Sequence, residues 1–532
     1  MPPDTGPSSP QLALALQTLE PAAARPPDRA LTSFFFRPAL GRACRAVLAL
    51  GLSAALVGCA TGDRPQPRAD ARTALALPDD WSTPGAVAGP ASDDRWWARW
   101  DDPLLARLVG QARRANTRVG SAQAALRQAR ALRDVAAAGL LPTLGSSASA
   151  QRSQPGSGDG ANRFAASLDA SWELDLFGGQ RSAVQASQAT LQASAASLGD
   201  VQVSIAAETG LAYIALRSTQ ARLAIASANL ASQQETLQIT EWRQQAGLVS
   251  QLEAEQARAA TAQTQAQLPA LASNLAQTRH ALALLTGQAP AALDSLLAAP
   301  APLPQPPADL AWRLPADTLR QRPDVRAAEW QVSAATARVA QADAARLPAF
   351  RLGGSLGLSA LTLGALGNGA SLLGSLLASV SLPVFDGGAA GAQVQAQQAA
   401  LDQARASYQA TVLTALQQVE DALVALRADR ERQQRLQQAA DAATQAALLA
   451  RQRYGSGLVD FQTVLDTQRS QLSTQDSLAS AGADVSADHV RLFKALGGGW
   501  QADAAGPGTA TAPTAGPARP LPAAPAQPTP TP

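Results

Sequence analysis

The chain has 532 residues, with 43 Lys and Arg against 41 Asp and Glu and a formal net charge of +2. That balance argues against a nucleic-acid partner. The two Cys, Cys44 and Cys59, both sit near the N-terminus, and the two His, His280 and His489, lie far apart. The mature chain therefore has no material for a disulfide, and a metal or nucleophile site built on these residues is disfavoured. Aromatics are only 4% of the chain while Ala and Gln abound, which suits long, close-packed helices better than thick globular cores.

Residues before Phe34 are rich in Pro and Ala and read as an extended start. Arg37, Arg42 and Arg45 then precede an apolar run of about 12 residues, Ala46 to Val57, which leads into Leu56-Val57-Gly58-Cys59. This is the layout of a bacterial lipoprotein signal peptide; the run is too short for a bilayer span, which needs roughly 20 residues. Cleavage would leave Cys59 first, carrying lipid on its sulfur and amino group. Ala60, which is not acidic, favours transfer to the outer membrane. The plain alternative is a buried Cys behind an apolar segment. Covalent lipid is the one non-protein group expected; no cofactor and no metal are.

The chain divides into a leader (1–58), a lipidated tether (59–78), a first repeat (79–299), a Pro-rich linker (300–315), a second repeat (316–500) and a Pro/Ala/Thr-rich tail (501–532), expected to be disordered. The repeats match at a spacing of about 210 residues, far beyond solenoid periods. Leu141-Pro142-Thr143-Leu144 returns as Leu347-Pro348-Ala349-Phe350, and Leu176-Phe177-Gly178-Gly179 as Val384-Phe385-Asp386-Gly387-Gly388. Gly247-Leu248-Val249-Ser250 returns as Gly457-Leu458-Val459-Asp460, and Leu284-Leu285-Thr286-Gly287 as Ala495-Leu496-Gly497.

Within each repeat, the pattern predicts a first helix (103–139 and 316–345) closed by Pro142 or Pro348. Two strands follow, at 143–152 and 163–172 in the first copy, and at 350–359 and 372–382 in the second. Each pair flanks a Gly- and Ser-rich loop, and each strand has the length of a tilted transmembrane strand. Alternation shows in Leu168, Trp172 and Leu174, and in Leu352, Leu356 and Leu358. No later stretch is apolar for 18 residues, so any membrane crossing must be by strands.

Long helices come next, with no Pro between Pro155 and Pro269 or between Pro383 and Pro507. Val184, Leu191, Leu198 and Ile205 recur every seven residues, and Val412, Leu416, Val419, Leu423 and Leu426 alternate by four and three. Such seams need a partner helix. A helix from Ser182 to Gln245 spans roughly 95 Å at 1.5 Å per residue. Gly247 and Gly457 break these helices, and Ser250 and Asp460 can cap returning helices at 250–286 and 460–496. Each repeat thus ends in a helical hairpin with a Gly-Leu-Val tip.

Four strands per chain cannot close, and an open edge in lipid leaves backbone groups unpaired at several kcal/mol each. Three chains supply twelve strands, within the range of bacterial barrels. The expected fold class is mainly α with a membrane β-barrel part: a trimer sharing a 12-stranded barrel above a long α-helical barrel.

These residues resemble the outer-membrane efflux protein family, the TolC-like channels, in particular the lipoprotein (NodT-like) subgroup serving resistance–nodulation–division pumps. The resemblance spans about Asp79 to Trp500. It rests on Trp96-Trp97, Asp102-Pro103-Leu104-Leu105, Arg322-Pro323-Asp324-Val325, Phe385-Asp386-Gly387-Gly388, Arg453-Tyr454-Gly455-Ser456-Gly457, Val464-Leu465-Asp466-Thr467-Gln468-Arg469 and Ala495-Leu496-Gly497-Gly498-Gly499-Trp500. It implies a homotrimer in the Gram-negative outer membrane, reaching into the periplasm. It also implies a periplasmic adaptor and an inner-membrane pump as partners, with small molecules passing unchanged. By resemblance, the tip gate falls on Glu253, Tyr454 and Asp466. Val459 stands where some members carry Arg, so Arg243 or Arg453 would replace that tether. Asp460 is either a gate residue or only a cap, Glu253 either a gate residue or a solvated helix residue, and Tyr454 either a gate residue or simply packed. Gly247 and Gly457 are turn formers that adaptor tips could recognise.

A structural coiled-coil lipoprotein would explain the lipid site and heptads but not the strand pairs or the duplication. No His pair, nucleophile elbow or phosphate loop points to an enzyme. The same channel serving protein secretion or heavy-metal export would differ only in its partners.

Overall fold

The computed structural model describes residues 95–154, 156, 159–306, 321–498 and 500. The leader, Cys59, the tether, linker residues 307–315 and the 501–532 tail lie outside the described residues. A 3-10 turn, Trp96–Trp100, precedes α1 (Pro103–Ala115) and α2 (Thr117–Ala138). Strands β1 (Thr143–Ser153) and β2 (Ala161–Leu174) lead into α3 (Gly179–Gln245) and its return helix α4 (Gln251–Leu285). After the one-turn α5 (Asp294–Leu297), the second copy runs α6 (Pro323–Ala344), β3 (Ala349–Ala360), β4 (Leu372–Ser381), α7 (Ala389–Gly455) and α8 (Phe461–Ala495).

Both long helices have 67 residues, about 100 Å each. They start at left-handed glycines, Gly178 at φ 78° and Gly388 at φ 89°, a conformation that L side chains rarely adopt. Asp386 accepts the backbone N–H groups of Gly388 and Ala390, both at 2.8 Å, and so fixes the start of α7. Of the heptad positions, Leu191, Ile205, Val412, Val419, Leu423 and Leu426 are buried, and Val184, Leu198 and Leu416 half-buried.

The expected first helix, 103–139, is two helices. Asn116 breaks it: its side chain accepts the Arg118 N–H at 2.8 Å and donates to the Leu285 carbonyl at 2.9 Å, so the chain turns there to meet the end of α4. The helix expected from 316 begins at Pro323, because Arg322, preceding a proline, is extended (ψ 132°). The first helices of the repeats end at Ala138 and Ala344, one turn before the prolines.

Buried networks brace each repeat, and an aromatic contact joins the two. Trp96, Trp97 and Trp100 are buried, and Trp96 stacks on Phe493 of α8 at 5.4 Å. Tyr213 donates to Asp102 at 2.8 Å and accepts from Arg217 at 3.0 Å; Arg217 also donates to the Ala299 carbonyl. Burial pushes the Tyr213 hydroxyl up to about 12. Arg322 donates to the Ala495 carbonyl at 2.6 Å, to Asp324 and to Gln418. The Arg-Pro-Asp motif is therefore a clamp between α6, α7 and the end of α8.

His489 is fully buried on α8. Its Nδ1 lies 2.7 Å from the Val485 carbonyl and must donate; its Nε2, 2.8 Å from Arg430, must accept. Burial and the Arg430 charge hold it down to about 4. The folded state thus keeps this imidazole neutral while the unfolded chain takes up a proton near 6.5. Its contribution is fully present above 6.5 and is lost as pH falls toward 4, on the order of 3 kcal/mol. The neighbouring Asp488, raised by its burial, acts in the opposite sense. Thermal melts at pH 7.5 and 4.5 should show a smaller acid loss for His489→Asn than for the parent chain; an equal loss contradicts the assignment.

Candidate functional site

The four strands form one antiparallel sheet in the order β1-β2-β3-β4. Directly paired residues share a face, so the register divides the sheet into two surfaces. One carries Leu144, Phe164, Leu168, Trp172, Leu352, Leu356, Leu358, Leu376 and Val380. Its single charge is Arg152, next to the β1–β2 loop. The other carries Ser147, Ser149, Ser167, Asp169, Ser171, Ser355, Ser359, Ser375 and Ser379, with Leu373 and Leu377 among them. Hydroxyls pair across it, Ser147 with Ser167 at 2.9 Å and Ser355 with Ser375 at 2.7 Å, and Arg351 meets Glu173 at 3.1 Å. The alternation read from Leu168, Trp172, Leu352 and Leu356 is therefore one apolar face.

Phe164 and Trp172 stand eight residues apart on that face, about 26 Å along β2. At the roughly 35–45° tilt of barrel strands this is roughly 20 Å of height, which falls within the roughly 25 Å apolar band of an outer-membrane barrel and puts an aromatic toward each rim. Trp172 Nε1 donates to the Leu140 carbonyl at 3.0 Å, fixing the rim where the helices begin. The outer edges of β1 and β4 pair with no strand among the described residues.

The second part of the site is the pair of hairpin tips. Gly247 and Gly457 both have φ 74°, with open space where a Cβ would stand, so the left-handed turn alone requires Gly. Ser250 and Asp460 cap the return helices, accepting the Glu253 and Thr463 N–H groups at 3.4 and 2.9 Å. Bonds from the Thr463 hydroxyl and N–H hold the Asp460 carboxyl below the usual carboxylate range.

The structure brings three of the expected gate residues together. Arg243, at the end of α3, donates to the Tyr454 carbonyl at 3.2 Å and the Gly455 carbonyl at 3.3 Å on α7. Its guanidinium lies 4.7 Å from the Tyr454 ring centre. Tyr454 donates to Glu253 of α4 at 3.4 Å. The tips of the two hairpins are thus joined within one chain. The other expected members stay apart from this group. Asp466 bonds Gln462 and Arg469 on its own helix, Asp460 caps, and Arg453 is exposed. Val459 packs at the edge of the apolar tip cluster with Phe461, Val464 and Leu465.

Further residues join the hairpins and were not singled out from the sequence. Arg222 makes a bidentate pair with Asp476, and Asn229, Thr236 and Gln468 make polar contacts between α3 and α8. Their only sequence signal is that 222, 229, 236 and 243 are polar positions seven apart. Among the described residues, no group of His, Cys, Asp or Glu could hold a metal ion, and no helix is long and apolar enough to cross a membrane.

The family described as outer membrane efflux protein matches residues 108–288 and 314–498, and the chain belongs to this family. It is 35% identical over 468 residues to the pyoverdine export outer membrane protein OpmQ of Pseudomonas putida, covering 85% of this chain and 97% of that protein. Nodulation protein T of Rhizobium leguminosarum is 31% identical, covering 87% of this chain and 94% of that protein. Among solved structures, the outer-membrane channel OprN is similar at 36% identity and TM-score 0.74, covering 80% of this chain and 99% of that one. The outer membrane protein VceC of Vibrio cholerae gives 27% identity and TM-score 0.72, covering 77% and 100%. The fold is that of the TolC-like channels. The protein is an outer-membrane efflux channel of a Gram-negative bacterium, set in the outer membrane and extending into the periplasm.

The two sheet faces therefore meet different solvents. Leu356→Arg, on the apolar face, should destabilise the folded channel by about 2–4 kcal/mol in bilayers, while Ser355→Arg one residue away should cost far less. Urea titrations in lipid vesicles measure both; equal losses would contradict the face assignment.

Proposed function

We propose that three copies share one barrel and form a passive conduit for small molecules. An inner-membrane pump drives the flux, and a periplasmic adaptor joins pump to channel. The carrying observation is a four-stranded sheet with one apolar face, one polar face and two open edges. Two copies would give eight strands, an interior that side chains or one small ligand fill. Three is the smallest number that leaves an open lumen. An exposed stripe of small residues on α2, Gly120, Ala124, Ala131 and Ala138, supports close packing of a neighbouring copy.

Cys59 carries the lipid in this reading, and residues 60–78 tether it. The hairpin tips act as the periplasmic gate. Arg243, Tyr454 and Glu253 tie the hairpins of one chain, while Asp466 and Arg453, exposed on it, are available to neighbouring copies. Asp460, Gly247 and Gly457 set the turn geometry that an adaptor recognises. Opening splays the hairpins at the expense of these bonds, each on the order of 1–3 kcal/mol where charge assists. An adaptor that binds only the splayed form supplies the difference.

Bilayer recordings of purified channels test the gate. Arg243→Ala combined with Glu253→Gln should raise single-channel conductance several-fold over the parent; parental conductance would contradict it. A deletion strain exposed to antibiotics, dyes, metals and aromatic acids identifies the cargo as whichever class loses its efflux. Unchanged tolerance to every class, with all other efflux channels also deleted, would contradict a small-molecule role.

A further inference from the structure

Between the tip and the middle of the long helices, the seam joining α3 to α8 changes character. The tip cluster of Leu237, Phe461, Val464 and Leu465 is apolar. A second apolar core, which takes in Ala483, Val490 and Phe493 of α8, reaches toward the tip as far as Leu223 of α3. Between them, over about 14 residues or roughly 21 Å of helix, hydrogen bonds connect the hairpins. Gln468 donates to Thr236 at 3.0 Å. Asn229 donates to Gln475 at 2.9 Å, and Gln475 donates to Thr444 at 3.2 Å. Across from α7, Arg451 adds a charge-assisted bond to Ser232 of α3 at 2.7 Å, with Glu235 3.7 Å away. The bonds between α3 and α8 themselves are neutral and exchange readily for bonds to water, so this side of the seam yields to bending. The run ends at Arg222, whose Nε and Nη2 donate to the two carboxylate oxygens of Asp476 at 2.7 and 3.0 Å. Bidentate charge-assisted pairs are the stronger and more geometrically fixed kind.

We infer that the Arg222–Asp476 pair is the pivot clamp of the hairpin seam: the hairpins separate from the tip up to this pair and are held together beyond it. The inference deepens the gate reading and rests on it for its role in transport. Each hairpin moves as a body in this reading, because α3 packs against α4, and α7 against α8, more extensively than α3 packs against α8. The clamp sets how far the entrance can widen without disturbing the buried Tyr213–Arg217 network about one and a half to two and a half turns above it.

Thiol labelling reads the seam directly. Ala226 and Thr219 lie seven residues apart on α3, one on each side of Arg222, and are 3% and 7% exposed. Ala226→Cys and Thr219→Cys are introduced separately into the full chain, and the chain without either gives the background. Maleimide should label position 226 at least ten-fold faster than 219. Adding Asp476→Asn should raise the rate at 219 at least ten-fold, and Arg222→Lys, which keeps the charge but not the fork, should raise it by less. Equal rates at the two positions, or an unchanged rate at 219 in Asp476→Asn, overturn the pivot. Because the comparison uses channels with intact tips, it stands whatever the conductance of the Arg243/Glu253 variant shows. Circular dichroism of Asp476→Asn checks that the helices persist; loss of helix in that variant alone overturns the pivot in favour of a general structural role.

Discussion

The governing constraint is the backbone at the two outer edges of the sheet. Strands β1 and β4 each present a row of N–H and C=O groups with no partner among the described residues. In hydrocarbon, every such group left unsatisfied costs several kcal/mol, so a four-stranded sheet cannot sit alone in a bilayer. Its faces point the same way. Leu352, Leu356 and Leu376 fit lipid, whereas Ser355, Ser375 and Asp169 fit water. A surface built that way is stable only as part of a closed wall.

Below the sheet, the helices answer a different demand. They must be long, which a 67-residue run without proline allows, and they must stay joined where they are meant to be fixed. The fixed region is crowded with tryptophans, with Tyr213–Asp102–Arg217, and with Arg322 on the Ala495 carbonyl. Between that region and the apolar tip cluster, the buried positions of α3, α4 and α7 shift toward Ala, Thr and Gln, and hydrogen bonds make the contacts between α3 and α8. Stiffness and yield are thus distributed along one helix by side-chain type. The duplicated sequence supplies each function twice, one hairpin per repeat.

Much of this was legible in the residues. Periods of two and seven, proline-free runs and the Gly-Leu-Val tips located nearly every strand and helix, because those signals are local. The break at Asn116 was not, since its cause is the Leu285 carbonyl, 169 residues away. Strands β1, β2 and β3 run one, four and two residues longer than expected because neighbouring strands extend the ladder past the local pattern, while β4 ends one residue early, at Ser381. The late start at Pro323 was readable from the proline itself. At the tips, the sequence supplied the right residue types but not their partners: Arg243, Tyr454 and Glu253 converge, while Asp466 bonds along its own helix. Arg222 and Asp476, 254 positions apart, were invisible for the same reason.

Native mass spectrometry of the protein released from lipid nanodiscs tests the central claim most directly, because it counts the chains that complete the wall. One dominant species of three chains is expected, with amide exchange at the β1 and β4 edges as slow as within the sheet. A monomer that keeps its strands in the bilayer would contradict it.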